Sequence, residues 1–440
     1  MAAQDRRGGV DVTAGARFDD LLAGAALAFP AARETVVATS SDEVADALRR
    51  VERRCAQGNW AYGFVGYEAA PGLNADLVTH RPDGRQPVAW FGICGEPTRT
   101  APVPARVGAA RGYRVSRWRL DWDEACHRER VQRVRSHIEA GETYQCNLTA
   151  RMRARCAGDL TAFYADLAHA QHGAHSAFVD TGRFAVLSAS PELFFERRGE
   201  RVALRPMKGT AARGRDAAED AVRAAALRTN PKERAENIMI VDLLRNDIGM
   251  IARTGSVVTS RLCAVEEFRT VFQLTSRIDA EVGRERSIVD LFRALFPCGS
   301  VTGAPKGATM RIIRELETSP RGVYCGAVGH LGPTGDARFS VAIRTVVVDR
   351  HTGLASYGTG GGITWCSDPA AEYTELLAKT RILHHVDRLS TSGPGASSAT
   401  SAASPRSARR PSIPRRGDLG GAPLVKTTRA APIDTWTPTG

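Results

Sequence analysis

No C-x-x-C pair occurs among the nine cysteines, which stand singly at positions 55, 94, 126, 146, 156, 263, 298, 325 and 366. An odd number at such spacings argues against both a disulfide framework and a zinc site. Apolar stretches such as Leu21 to Phe29 fall far short of the roughly 20 residues that a spanning helix needs. The opening Met-Ala-Ala-Gln-Asp-Arg-Arg lacks the apolar run of a signal peptide, so the expected compartment is the cytoplasm, with no membrane partner. No basic patch interleaved with aromatics suggests nucleic acid. The formal charge of +12 is unevenly placed: eight Lys/Arg against three Asp between 386 and 440 put +5 there and leave +7 for the rest. That remainder is ordinary for a protein that handles small anions. Two nucleotide signatures are also missing. Tyr357-Gly358-Thr-Gly360-Gly361-Gly362 does not follow the dinucleotide G-x-G-x-x-G spacing, and in Gly303-Ala-Pro305-Lys306-Gly307 the lysine is not followed by Ser or Thr.

What is present is a chain of 440 residues, 43% apolar and 25% charged, able to bury a large core. Three portions are expected: an N-terminal portion at 1–115, a catalytic domain at 116–386, and a Ser/Pro/Arg-rich tail at 387–440 that reads as disordered. Helical periodicity marks 41–56, 123–141, 216–228, 231–245, 287–295, 306–317 and 370–383. Alternating runs mark strands at 184–187, 193–197, 257–265, 271–282, 326–331, 338–348 and 354–364. Strands come in runs and helices in separate blocks, which predicts an α+β fold with mostly antiparallel sheets.

Several polar residues sit where chemistry could use them. Lys208 lies in Arg205-Pro206-Met207-Lys208-Gly209-Thr210, where the strand-like run 201–204 stops and a glycine-bearing loop is expected. A lysine amine attacks only where burial or cationic neighbours depress its pKa, and Arg205 and Arg213 are candidates for that field. Taken alone, it more simply pairs with an anion. Asn230-Pro231 signals a helix start, placing Glu236 on the second turn beside the apolar 238–244 segment; a solvated helix face explains it as well. Glu372, Glu375 and Lys379 fall at i, i+3 and i+7, on one helix face. They read either as a surface ion-pair ladder or, with Glu236, as a hard-cation site for Mg2+, which takes one or two protein carboxylates and fills the rest with water and substrate oxygens. Gly358 to Gly362 end a strand with bare amides able to cradle an anion. Glu192, in Ser188-Ala-Ser-Pro191-Glu192, stands at a turn next to an apolar strand, where burial would raise its pKa toward that of a general acid.

Taken in order, Ser-Pro-Glu192, Pro-Met-Lys208-Gly-Thr, Ala-Glu236-Asn-Ile-Met-Ile-Val-Asp-Leu-Leu-Arg-Asn-Asp, Gly-Ser-Val-Thr302-Gly-Ala-Pro-Lys306, Ala-Ile-Arg344, Gly360-Gly-Gly362 and Ala-Glu372-Tyr-Thr-Glu375-Leu-Leu-Ala-Lys379 resemble the chorismate-utilising enzymes over about 120–385. The resemblance implies two large antiparallel sheets packed face to face with helices outside, and Mg2+-dependent chemistry on chorismate. It implies that Glu192 is the general acid at the C4 hydroxyl and that Glu236, Glu372 and Glu375 bind the metal. Thr302, Tyr324, Arg344, Lys379 and the backbone at Gly360 and Gly362 would hold the substrate. Lysine at 208 resembles the aminodeoxychorismate synthase branch, where the anthranilate branch carries alanine. It would attack C2, and ammonia from a separate glutamine amidotransferase subunit would then displace it, toward 4-aminobenzoate and folate or a secondary metabolite. The alternatives are anthranilate or 2-amino-2-deoxyisochorismate synthesis, or a non-catalytic amidotransferase partner. Met207 replaces the usual isoleucine, a near-isosteric change. Asp290 stands where some anthranilate-type enzymes have histidine. No Leu-Leu-Glu-Ser element is evident, so regulation by tryptophan is not implied.

Overall fold

The computed structural model describes residues 14–105, 112–268 and 271–383. The expected tail at 387–440 lies outside them. Two sheets, of 11 and 10 strands, carry the fold, and every pairing in them is antiparallel. The α+β expectation therefore holds. The first sheet runs from Gly303–Ala304 through Gln145–Gly158, Leu354–Ile363, Thr345–Asp349, Phe184–Ser190 and His175–Asp180 to the N-terminal strands Ala14–Asp20 and Ala25–Pro30. The second runs from Met207–Ala212 through Val271–Glu281, Arg201–Arg205, Leu193–Arg198, Ala337–Val341 and Ala327–Leu331 to Trp60–Val65 and Ala89–Cys94. N-terminal strands thus complete both sheets.

The sheets face one another across Phe29, Val186 and Val347 on one side and Trp60, Tyr62, Phe64 and Trp90 on the other. Each such side chain, fully buried, contributes about 1.5–3 kcal/mol. Helices cover the outer faces. Leu160–Gln171 packs through Phe163 and Leu167 on the first sheet, while Val44–Ala56, Ile288–Leu295 and Pro231–Gly249 pack through Leu48, Phe292 and Leu244 on the second. Their starts follow local chemistry. The Asn230 side chain accepts the backbone N–H of Lys232 and Glu233 with proline next in line, and Ser287 with Asp290 makes a reciprocal capping box. Caps of this kind contribute about 1 kcal/mol each. No helix among the described residues is long and apolar enough to cross a membrane.

One local expectation is corrected. Lys208 lies not in a loop but on the edge strand Met207–Ala212, paired with Val271–Glu281. The register shifts between Met207 and Thr210, and Gly209 takes φ +94°, a conformation that glycine alone adopts without strain.

Candidate active site

The strand ribbon Gln145–Gly158 with Leu354–Ile363 is the floor of the site, and its glycines set the spacing. A Cβ built on Gly362 would lie 2.6 Å from Gln145 Nε2 and 3.0 Å from Lys208 Nζ. A Cβ on Gly361 would lie 3.3 Å from Glu372 Oε2, 3.5 Å from Lys379 Nζ and 3.9 Å from Glu375 Oε1. Side chains at these positions would occupy the space toward which the polar groups converge.

Glu192 is 3% exposed, on the turn between two strands of different sheets. The turn is pinned: Ser190 Oγ donates to the Val341 carbonyl (2.6 Å), and the Val341 N–H donates to the Glu192 carbonyl (3.1 Å). Burial pushes the Glu192 carboxyl up to about 7, with the Ser300 hydroxyl, the Lys208 charge and the Met207 backbone drawing it partly back. Its Oε1 is buried without a hydrogen-bond partner. A buried, unsatisfied carboxyl costs stability, and it is poised to exchange a proton near neutral pH.

Lys208 Nζ has neither an ion pair nor a hydrogen bond among the described residues. The expected cationic field is not there. Arg205 is bound to Glu266 and Arg213 to Asp220 and Glu267, because each lies within reach of a carboxylate on its own layer. The charges that feel Lys208 are instead carboxylates: Glu192, Glu233, Glu236 and Glu375.

The two acidic helices meet, which sequence could not show. Lys232 Nζ lies 4.0 Å from Glu236 Oε1 and 3.9 Å from Glu372 Oε1, bridging Pro231–Gly249 to Pro369–Ala378. Burial raises the pKa of Glu236 and Glu372, whereas the adjacent Lys379 ammonium, 2.8 Å away, lowers that of Glu375. Glu372 also accepts the Ser367 hydroxyl at 2.6 Å.

The remaining sequence candidates fall around this cluster. Lys379 Nζ donates to the Gly360 carbonyl at 2.7 Å. Arg344, at φ +54°, donates to the Lys379 carbonyl at 3.3 Å. Tyr324 packs its ring on Gly358, one ribbon step from Gly360. The Thr302 hydroxyl is turned to the Cys298 and Gly299 carbonyls (3.2 and 3.3 Å), and its carbonyl accepts the Asn147 N–H. Arg321, forked onto Glu317, also donates to the carbonyls of Val301 and Asn147 at 2.7 Å each, fixing the 298–302 segment to the floor.

The sequence profile described as chorismate binding enzyme matches residues 12–385. The chain belongs to this family. Within it, this chorismate binding enzyme is similar to aminodeoxychorismate synthase component 1 of Klebsiella aerogenes, 39% identical over 306 residues covering 69% of this chain and 65% of that protein. It is also similar to aminodeoxychorismate synthase of Streptomyces griseus, 46% identical over 262 residues covering 59% and 35% respectively. The match thus spans less than two thirds of either relative. The backbone superimposes on anthranilate synthase component I from Streptococcus pneumoniae TIGR4 with TM-score 0.71 and 26% identity, over 86% of this chain and 95% of that one.

For a chorismate binding enzyme, three residues of the site escaped sequence reasoning. Gln145 is fully buried with both amide atoms unpartnered, beside Lys208 and Gly362. Glu233 and Lys232 join the carboxylate cluster from the first helical turn. Their only sequence signal was the i, i+3 and i+4 spacing to Glu236. The cluster fits a hard cation: its donors are carboxylate oxygens, and the Lys232 ammonium already stands between Glu236 and Glu372. Among the described residues no three His, Cys, Asp or Glu side chains close into a cage. Mg2+ does not require one, because it retains waters and borrows substrate oxygens.

Proposed function

We propose that this chain is the chorismate-aminating component of a 4-amino-4-deoxychorismate synthase, with Lys208 as nucleophile and Glu192 as acid and base. The observation that supports it is Lys208 Nζ, tied to nothing among the described residues, at the glycine floor beside a carboxyl whose pKa is about 7. Lys208, having released its proton to solvent, forms a bond from the Nζ lone pair to C2 as the C4–O bond breaks, and the Glu192 proton leaves with the hydroxyl as water. Ammonia then bonds to C4, the C2–N bond breaks and returns the pair to Lys208, and the surplus ammonia proton passes to the Glu192 carboxylate. Two displacements replace one difficult step. Glu236, Glu372 and Glu375 would hold Mg2+, which when bound neutralises and orients the substrate carboxylates. Gln145, with both polar atoms of its side-chain amide unspent, positions the ring or the incoming ammonia by hydrogen bonding. Ammonia delivery by a glutamine amidotransferase subunit, and a cytoplasmic setting, belong to this proposal.

The test is direct. The purified chain, incubated with chorismate, Mg2+ and an ammonium salt, forms a product that a separate lyase converts to 4-aminobenzoate. Appearance of anthranilate would overturn the assignment. With ammonium withheld, mass spectrometry finds a substrate adduct on the protein that Lys208→Ala lacks; an adduct persisting in that variant removes lysine from the mechanism.

A further inference from the structure

The ribbon that forms the floor continues past the glycines. Its register pairs Gly362 with Asn147, Gly360 with Thr149, Gly358 with Arg151, Ser356 with Arg153 and Leu354 with Arg155. Alternate strand residues share a face at about 6.6 Å spacing, so Arg151, Arg153 and Arg155 make a ladder on the same face as Thr149 and Asn147. The ladder lines a cavity of about 340 Å3 walled also by Arg183, Phe184, Val347 and Val88.

Six arginines line this cavity against three carboxylates, Glu68, Asp83 and Asp349. Those acids are spoken for. Asp349 pairs with Arg183 at 3.1 Å and Asp83 with Arg85 at 3.4 Å, while Glu68 accepts the backbone N–H of Arg321 and Gly322 at 2.7 and 2.8 Å. Arg153 reaches Asp121 at 3.1 Å, outside the cavity. Arg151 and Arg155 have no carboxylate within ion-pair distance among the described residues. Arg151 donates to the Pro320 carbonyl (2.7 Å) and stacks on the Tyr324 ring, and Arg155 donates to the Thr352 carbonyl (2.6 Å). A guanidinium carries five N–H donors, so most of theirs are unspent. Arg151 is half-buried and feels the Glu68 and Glu317 charges without touching either, whereas Arg155 is exposed. Guanidinium forks match carboxylate and phosphate oxygens, and the Phe184–Val347–Val88 wall suits a carbon skeleton.

We propose that this cleft is a second anion-binding site, for a small organic molecule bearing two or more carboxylate or phosphate groups. The Tyr324 ring on Gly358 and the Arg321–Glu317 bridge separate it from the Lys208 cluster, and it stands independently of the proposed amination.

Calorimetric titration with citrate and with inorganic pyrophosphate, on protein stripped of divalent cations by chelating resin and at ionic strength held constant with NaCl, tests it. The two arms separate carboxylate from phosphate preference. Saturable binding of at least one, near one per chain, is expected. Arg153→Glu/Arg155→Glu, both exposed positions, weakens it by at least about tenfold, the loss of one charge-assisted fork. A control reversal of two exposed arginines elsewhere, Arg49→Glu/Arg50→Glu, leaves it unchanged, and thermal melts confirm that both variants are folded. Absence of saturation, equal losses in the two variants, or binding that survives the reversal and so lies at the Lys208 end would each overturn the proposal. Saturation by polyglutamate with neither small anion would assign the cleft to a protein partner, and would overturn it too.

Discussion

Glu192 and Glu317 are both glutamates buried to within a few per cent, yet they are used in opposite ways. Glu317 has every oxygen satisfied: Arg321 forks onto it at 2.6 and 2.9 Å, and Thr149 gives it a backbone N–H and a hydroxyl at 2.9 and 2.8 Å. Glu192 keeps one oxygen without a partner and is held near its neutral form by burial. The lysines divide in the same way. Lys306 is tied to Asp247 at 2.7 Å and to the Leu295 carbonyl at 3.2 Å, whereas the Lys208 ammonium is tied to nothing described. Where the hydrogen-bonding capacity is filled, the residue builds the frame. In Glu192 and Lys208 it is left open, which is what the proposed chemistry requires.

The sharpest way to break that comparison is to neutralise each glutamate and see which property falls. For Glu192→Gln we expect kcat for amination to drop about 10²–10⁴-fold, the usual contribution of one positioned proton donor, with no loss of folding stability in urea titration. Activity within threefold of the parent would show that Glu192 does not move the proton. For Glu317→Ala the expected loss is in stability, about 3–5 kcal/mol, because Arg321 is left charged and buried without its partner. A loss below about 1 kcal/mol would mean that the Asn147 and Val301 carbonyls suffice for Arg321, and that Glu317 is not part of the frame.

Glu192 should also make stability depend on pH. The folded-state pKa of Glu192 is raised, so its contribution to stability is fully present below its ordinary pKa of about 4.5 and is lost as pH rises through about 7. Urea titrations from pH 5 to 8.5 should show the parent losing on the order of 3 kcal/mol relative to Glu192→Gln, which cannot ionise. Parallel curves for the two proteins would place the Glu192 pKa near its unfolded value and remove its claim to be a neutral-pH acid.

How much of this was legible beforehand depended on sequence distance. The Asn230-Pro231 cap, the Ser287 helix start and the i, i+3, i+7 face of Glu372, Glu375 and Lys379 are local, so residue order alone placed them. The antiparallel sheets followed from strand alternation. What failed was pairing between remote segments. Arg205 was expected beside Lys208, but its partner Glu266 lies on a strand that sequence does not bring near. The loop expected at Lys208 is a strand because Val271–Glu281 supplies its ladder bonds, and that neighbour is set by topology. Gln145 gave no signal at all, since its interest lies in hydrogen bonds it does not make. The arginine ladder at 151, 153 and 155 was not among the expectations, because its cavity is closed by remote segments around Val88, Arg183 and Pro320.

The smallest expected effect probes how finely Glu192 is set. The Ser300 hydroxyl is the leading influence drawing the Glu192 pKa down from the value burial would impose. It sits on the 298–302 segment that Arg321 fixes through the Val301 carbonyl, so the frame glutamate and the reactive one are linked through this loop. Ser300→Ala removes a hydrogen bond to the charged form, worth about 1 kcal/mol, or somewhat less than one pH unit. The alkaline limb of the pH profile of kcat/KM, where Glu192 loses its proton, should therefore move upward by that amount with little change at its maximum. A downward or absent shift would mean that the hydroxyl stabilises the neutral acid or does not reach it. An upward shift reproduced by Arg321→Lys, with Ser300 intact, would show that the frame tunes the acid by placing the hydroxyl rather than by its own charge.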